Sequence, residues 1–177
     1  MRISAERMDE IIDYAKGYAH ASIERRVEID ACKAKIREIY RSRSPIEPDT
    51  YYGWIGINPP PNSINIADLY DFTLANLPYE KYAFCVEQHT ENGIRPHIHA
   101  LVKTNGNTRA GHQITRLAKI YDISNNYIEY SISNKFELNK TRFSYIIGEK
   151  TPNKLQYVEL DKKTRELLNI PQYYSIL

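Results

Sequence analysis

Two histidines one residue apart, His97 and His99, stand in the run Arg95-Pro96-His97-Ile98-His99-Ala100-Leu101-Val102, and a carboxylate, Glu87, precedes them across Glu91-Asn92-Gly93. In a strand, successive side chains point to opposite sides, so His97 and His99 share one face while Ile98, Ala100 and Val102 share the other. The stretch before the turn has its own alternating apolar set at Tyr82, Phe84 and Val86. Placing the two sets side by side fixes the register, because a slip of one residue would turn every side chain over. A three-residue Glu91-Asn92-Gly93 loop, with Gly93 left-handed after a type I turn, satisfies that register. It sets Glu87 opposite His97 and Cys85 opposite His99. A two-residue Asn-Gly turn would instead place Gln88 against His97 and carry Phe84 and Val86 to the histidine side, which wastes the core.

A single exposed histidine on a strand is an ordinary surface residue. Two at this spacing, facing a carboxylate and backed by an apolar face, form a three-donor site with positions left open. Nitrogen and oxygen donors with vacancies suit a divalent cation such as Mn2+ or Mg2+ that also holds a substrate oxygen, and Zn2+ accepts the same donors. Such an ion serves phosphodiester chemistry as a Lewis acid, and some group must then attack phosphorus. Arg142-Phe143-Ser144-Tyr145-Ile146-Ile147-Gly148-Glu149-Lys150 offers Tyr145. With 15 tyrosines in the chain, packing is the default role of any one of them, and Tyr127, Tyr130 and Tyr157 compete.

The elements that must position these groups follow from periodicity. Tyr51 to Asn58 reads as a first strand, with Ile55 and Ile57 toward the core and Trp54, Gly56 and Asn58 on the opposite face; Pro59-Pro60-Pro61 stops it. Ile64, Leu69, Phe72, Leu74 and Leu77 suggest a helix before Pro78. After the ribbon, Thr108 to Tyr121 reads as a basic amphipathic helix, with Ile114, Leu117, Ala118 and Tyr121 apolar and Arg109, Arg116 and Lys119 polar. Tyr127 to Ser133 alternates as a half-buried strand. Asn139 or Thr141 would cap a short helix bearing Tyr145. Strand, helix, strand, strand, helix, strand and an extra tyrosine-bearing helix make an α+β, ferredoxin-like βαββαβ domain. Its antiparallel sheet has both crossover helices on one face and the other face open for Glu87, His97 and His99.

Flanking segments are less specific. Residues 1–45 read as a helical N-terminal extension, one long helix or two, with an apolar stripe that suits self-association; residues 50–177 read as the domain that carries the candidate site, with a C-terminal tail. Net charge is +2, yet Glu47 to Arg95 holds seven acidic and two basic residues and Lys103 to Lys154 nine basic and four acidic. A basic side after the histidine strand suits a polyanion, although a solvated face has the same composition. Cys32 and Cys85 form no motif, which points to a reducing compartment. No apolar run has membrane-spanning length, and the acidic N-terminus is unlike a signal peptide, so an intracellular protein without membrane contact is expected. Two near-matches to phosphate loops, at Gly106 to Gly111 and Gly148 to Thr151, lack required residues and exclude an ATPase of that type.

From Glu87-Gln88-His89 through Asn92-Gly93 to Pro96-His97-Ile98-His99, the chain resembles the metal motif of HUH endonucleases, the rolling-circle replication initiators of geminiviruses, circoviruses and related circular single-stranded DNA viruses. The resemblance covers roughly Tyr51 to Lys154. Trp54-Ile55-Gly56-Ile57-Asn58 stands where that family has its first motif; Phe72-Thr73-Leu74-Ala75-Asn76 is closer by letters but falls on the crossover helix. The resemblance implies that Glu87, His97 and His99 hold Mn2+ or Mg2+ and that Tyr145 cleaves single-stranded origin stem-loop DNA. The products would be a 5′-phosphotyrosine and a free 3′-OH, later rejoined. The family often carries Lys three residues after its tyrosine, where this chain has Gly148, so Lys150 or Lys154 would substitute. Trp54 and Asn58 would meet bases, and Arg109, Arg116, Lys119, Lys140 and Lys154 would meet phosphates. The implied location is the host nucleus for a eukaryotic virus, without the helicase domain that many such initiators carry. The rivals are a non-catalytic single-strand-binding module, a transposase or relaxase with the same chemistry, and a metal hydrolase that uses water.

Overall fold

The structure, a computed structural model, describes residues 27, 31, 44–89, 94–150 and 155–177. The chain divides into two units, Met1–Ser44 and Pro45–Leu177. In the first, only Val27, Ala31 and Ser44 are described, the first two helical and exposed. The apolar stripe expected over residues 1–45, and the self-association it suggested, therefore fall outside the described residues.

The second unit is α+β. Strands β1 (Tyr51–Ile57), β2 (Tyr82–His89), β3 (Arg95–Thr104), β4 (Ile128–Ser133) and β5 (Tyr174–Ser175) form one antiparallel sheet in the order β4-β1-β3-β2-β5. Helix α1 (Ile66–Asn76) joins β1 to β2, and α2 (Ala110–Tyr121) joins β3 to β4; α3 (Phe136–Ile146) and α4 (Leu155–Leu168) follow. The first four strands and two crossovers have the expected ferredoxin-like arrangement. The short β5 at the edge of β2 was not anticipated, because two residues carry no periodicity.

The two crossover helices bury one face of the sheet. Ile55, Ile57, Phe84, Val86, Ile98, Ala100 and Val102 from the strands pack on Ile66, Leu69, Leu117 and Ala118 from α1 and α2. Helix α1 corrects one expectation: its inward stripe is Ile66, Leu69, Tyr70 and Thr73, while Phe72 and Leu74 are exposed. The side chain of Asn65 caps this helix by accepting from the Asp68 amide, which starts the turn one residue after Asn65 and sets the phase that carries Phe72 outward.

The other face is not wholly open. A second apolar cluster of Tyr52, Ala83, Cys85, Leu101 and Ile146, joined by Phe143 and Trp54, forms where α3 packs across β2 and β3. The start of α3 also differs from expectation, with Lys135 rather than Asn139 or Thr141 in the cap position. Asn139 is buried inside the helix and donates to Ser133 O at 3.0 Å; the Lys135 amide donates to Ser133 Oγ at 3.0 Å. Ser133, at the end of β4, is thus the anchor that launches the helix. Among the described residues no helix is long and apolar enough to cross a membrane.

Candidate metal centre

Strands β2 and β3 pair Glu87 with His97 and Cys85 with His99, the register that matching of the apolar sets demands. Residues 90–93, the turn itself, lie outside the described residues. Both imidazoles converge on one carboxylate atom: Glu87 Oε2 is 3.3 Å from His97 Nε2 and 3.7 Å from His99 Nε2. The donor atoms of the three residues all lie within 4.8 Å of one another, so the group can hold a metal ion. Glu87 and His97 are only 4% and 5% exposed, and a buried cluster of this kind is shielded from competing water. His97 Nδ1 faces Arg95 O at 3.3 Å, the kind of backbone contact that orients a metal-ligating imidazole and leaves its other nitrogen for the ion. The donor set therefore fits a divalent cation.

Helix α3 brings Tyr145 to the same carboxylate, where its hydroxyl donates to Glu87 Oε2 at 2.9 Å. Trp54 completes the wall. It stacks on His99 at 5.4 Å between ring centroids and meets Tyr145 edge-on at 6.1 Å. The β1–β3 register sets Gly56 opposite His99, and the side chains of Glu129 and Asn58 lie over that glycine. The competing Tyr130 lies in the core under the crossover helices, and Tyr127 sits in the single turn before β4.

Lys150 reaches the cluster by a backbone reversal. Gly148, at φ 109°, ends α3 in a conformation that L side chains rarely adopt, and a Cβ there would collide with the Gln172 side chain. A lysine three residues after Tyr145 would be strained there. The chain turns back so that Lys150 forms an ion pair with Glu87 Oε1, donates to Tyr145 O at 2.9 Å and lies 3.6 Å from the centroid of the Tyr145 ring.

These contacts set the electrostatics. Burial pushes the Glu87 carboxyl up, but the His97 hydrogen bond, Lys150 and His99 outweigh it and hold the group well below the usual carboxylate range. Burial, then the charge and hydrogen bond of Glu87, push the Tyr145 phenol well above its ordinary value. Burial likewise raises the Cys85 thiol to about 12.

The other sequence-derived candidates are scattered. Arg142 lies 5.8 Å over the Trp54 ring and donates to Ser131 Oγ at 2.8 Å, a cation at the site that pattern reading missed. Lys140, on the helix that bears Tyr145, sits beside Phe136. Asn58 is partly buried just beyond β1. Arg109, Arg116 and Lys119 are exposed on or next to α2, whose packing places them across the sheet from Tyr145. Lys154 lies outside the described residues. Sequence reasoning also missed Asp161, a buried carboxylate on α4 that accepts from the Gln88 amide at 3.0 Å. Spaced four residues from Arg165, it has the pattern of a solvated helix pair, so nothing local marks it as buried.

No protein-family model, no curated protein and no solved structure matches the chain.

Proposed function

We propose that the protein is a metal-dependent, single-stranded DNA endonuclease and strand transferase of the HUH type, acting in rolling-circle replication, with Tyr145 as nucleophile. The observation that carries this reading is the convergence of one phenol and two imidazoles on Glu87 Oε2. A structural tyrosine has no need of a carboxylate that two histidines already engage.

Glu87, His97 and His99 would hold Mn2+ or Mg2+, which would supply positive charge and Lewis acidity for phosphodiester cleavage. Tyr145 Oη forms the new bond to phosphorus, the bond from phosphorus to the 3′ oxygen breaks, and the displaced oxygen takes up a proton to become a free 3′-OH. The phenolic proton passes to water, because Glu87, held well below the usual carboxylate range, is too weak a base to keep it. Lys150 faces the ring and favours the anion by its charge, which works against the burial that otherwise keeps the phenol protonated. Trp54 and Arg142 offer an aromatic face and a cation for an unpaired base and its phosphate. Reversal, with a 3′-OH as the attacking group, rejoins strands.

Incubating hairpin-bearing single-stranded oligonucleotides with the protein and Mn2+ should give a protein-linked DNA band that Tyr145→Phe abolishes and His97→Ala reduces at least a hundredfold. Binding without a covalent band would favour the single-strand-binding module, and cleavage that persists in Tyr145→Phe would favour water as nucleophile.

A further inference from the structure

Strand β2 carries Glu87 near one end, and its outer edge is closed in two different ways. The even-numbered residues of β2 turn their backbone groups away from β3. Near the start of the strand these groups meet β5: Tyr82 O accepts from the Ile176 amide at 2.9 Å, and Phe84 is paired with Tyr174. The sheet ladder ends there. Two residues on, Val86 O accepts from Arg165 Nη1 at 3.3 Å, and the Gln88 amide donates to Asp161 Oδ1 at 3.0 Å. Asp161 and Arg165 are four apart on α4, hence on one helical face, and they take the place of the next strand over the half of β2 that bears the metal ligand.

Their placement on either side of Glu87 is the informative point. Val86 and Gln88 are its immediate neighbours, so the two side chains pin the peptide units that set the direction of the Glu87 side chain. Asp161 is itself only 6% exposed, and a carboxylate is costly to bury unless its hydrogen bonds are met. A strand edge could be protected from pairing by a lysine or a proline at far lower cost. Nothing in the family resemblance extends to α4.

We propose that Asp161 and Arg165 form a clasp that positions Glu87 for metal binding, which makes α4 part of the metal centre. The proposal rests on the reading of Glu87, His97 and His99 as a metal site. Asp161 acts through its hydrogen bond to the Gln88 amide, so it is a positioning residue and not a ligand.

The test is Mn2+ affinity of the intact protein, read by calorimetry and by the spin resonance of free Mn2+, with thermal unfolding followed in parallel. Asp161→Ala should weaken Mn2+ binding by about tenfold or more, in the range of other outer-shell losses, and speed hydrogen exchange at the Gln88 amide. Asp161→Asn keeps an oxygen acceptor at the same place and should restore affinity to within about threefold of the unmodified protein. Tyr174→Ala, which disturbs the same edge at its distant half, should lower the unfolding temperature and leave Mn2+ affinity unchanged. Should Asp161→Ala fail to fold, Arg165→Met takes its place, with a smaller loss expected. Equal affinity in the folded variants and the unmodified protein, or an equal loss in Tyr174→Ala, would overturn the clasp alone. Absence of Mn2+ binding in the unmodified protein would overturn the metal site and the clasp together.

Discussion

The two faces of the central sheet are built from the same strands and solve opposite problems. Under α1 and α2 the buried strand residues are apolar, and Ile55, Ile57, Phe84, Ile98, Ala100 and Val102 are fully inaccessible. Under α3 the packing is divided: Tyr52, Ala83, Leu101 and Ile146 make a small apolar cluster at one end, and at the other end Glu87, His97, His99, Tyr145 and Lys150 bury charge and hydrogen-bonding groups against one another. Folding is driven mainly by the first face, through loss of apolar surface from water. The second face gives up part of that gain to hold a carboxylate and two imidazoles at fixed distances, and α3 both seals the apolar end and delivers the phenol to the polar end.

If the faces are divided in this way, changes on each should separate stability from binding. The largest stability effect belongs to the helix face: Leu117→Ala leaves a cavity in the main core and should cost about 2–5 kcal/mol in denaturant unfolding, with Mn2+ affinity of the folded fraction unmoved. The converse holds at the site. His99→Ala should weaken Mn2+ binding by a factor of about a hundred, or about 2.7 kcal/mol, while unfolding shifts by less than about 1 kcal/mol, since the ring is partly exposed and its contacts are ring contacts with Trp54, His97 and Tyr145 beside the Glu87 carboxylate. A stability loss for His99→Ala as large as that for Leu117→Ala would mean that the polar cluster is a core element and would dissolve the contrast.

The smallest effect sharpens the boundary between the two ends of the site face, where Cys85 sits. Its thiol is raised by burial from 9.0 to about 12, and a raised acid favours the folded state while neutral. Its contribution is therefore complete below about pH 9 and is lost as the pH climbs toward 12, because the unfolded thiol ionises first. Cys85→Ala should flatten the alkaline limb of the stability profile between those values, and thiol reagents at pH 8 should label Cys85 only after unfolding.

Several of these relations were legible in the chain itself. The alternation of Tyr82, Phe84 and Val86 against Ile98, Ala100 and Val102 specifies one register, and with it the meeting of Glu87 and His97, because period-two patterning on a one-sided core leaves a single solution. The stripe of Ile114, Leu117, Ala118 and Tyr121 located α2 and its buried side. The phase of α1 was less legible, since Phe72 and Leu74 are as apolar as the residues that are buried, and the cap at Asn65 decided between them.

The amino-acid order by itself determined the β2–β3 register, the succession of the first four strands and two crossover helices and the identity of three converging donors, all of which follow from short-range periodicity. Only the tertiary structure decided that α3 would cover half of the site face, that Gly148 would return Lys150 to Glu87 and that Asp161 and Arg165 would close the edge of β2. These depend on where a helix lands after a loop, and a hydrogen bond between residues 73 apart in sequence, as between Gln88 and Asp161, leaves no local pattern because its geometry exists only once the sheet has formed.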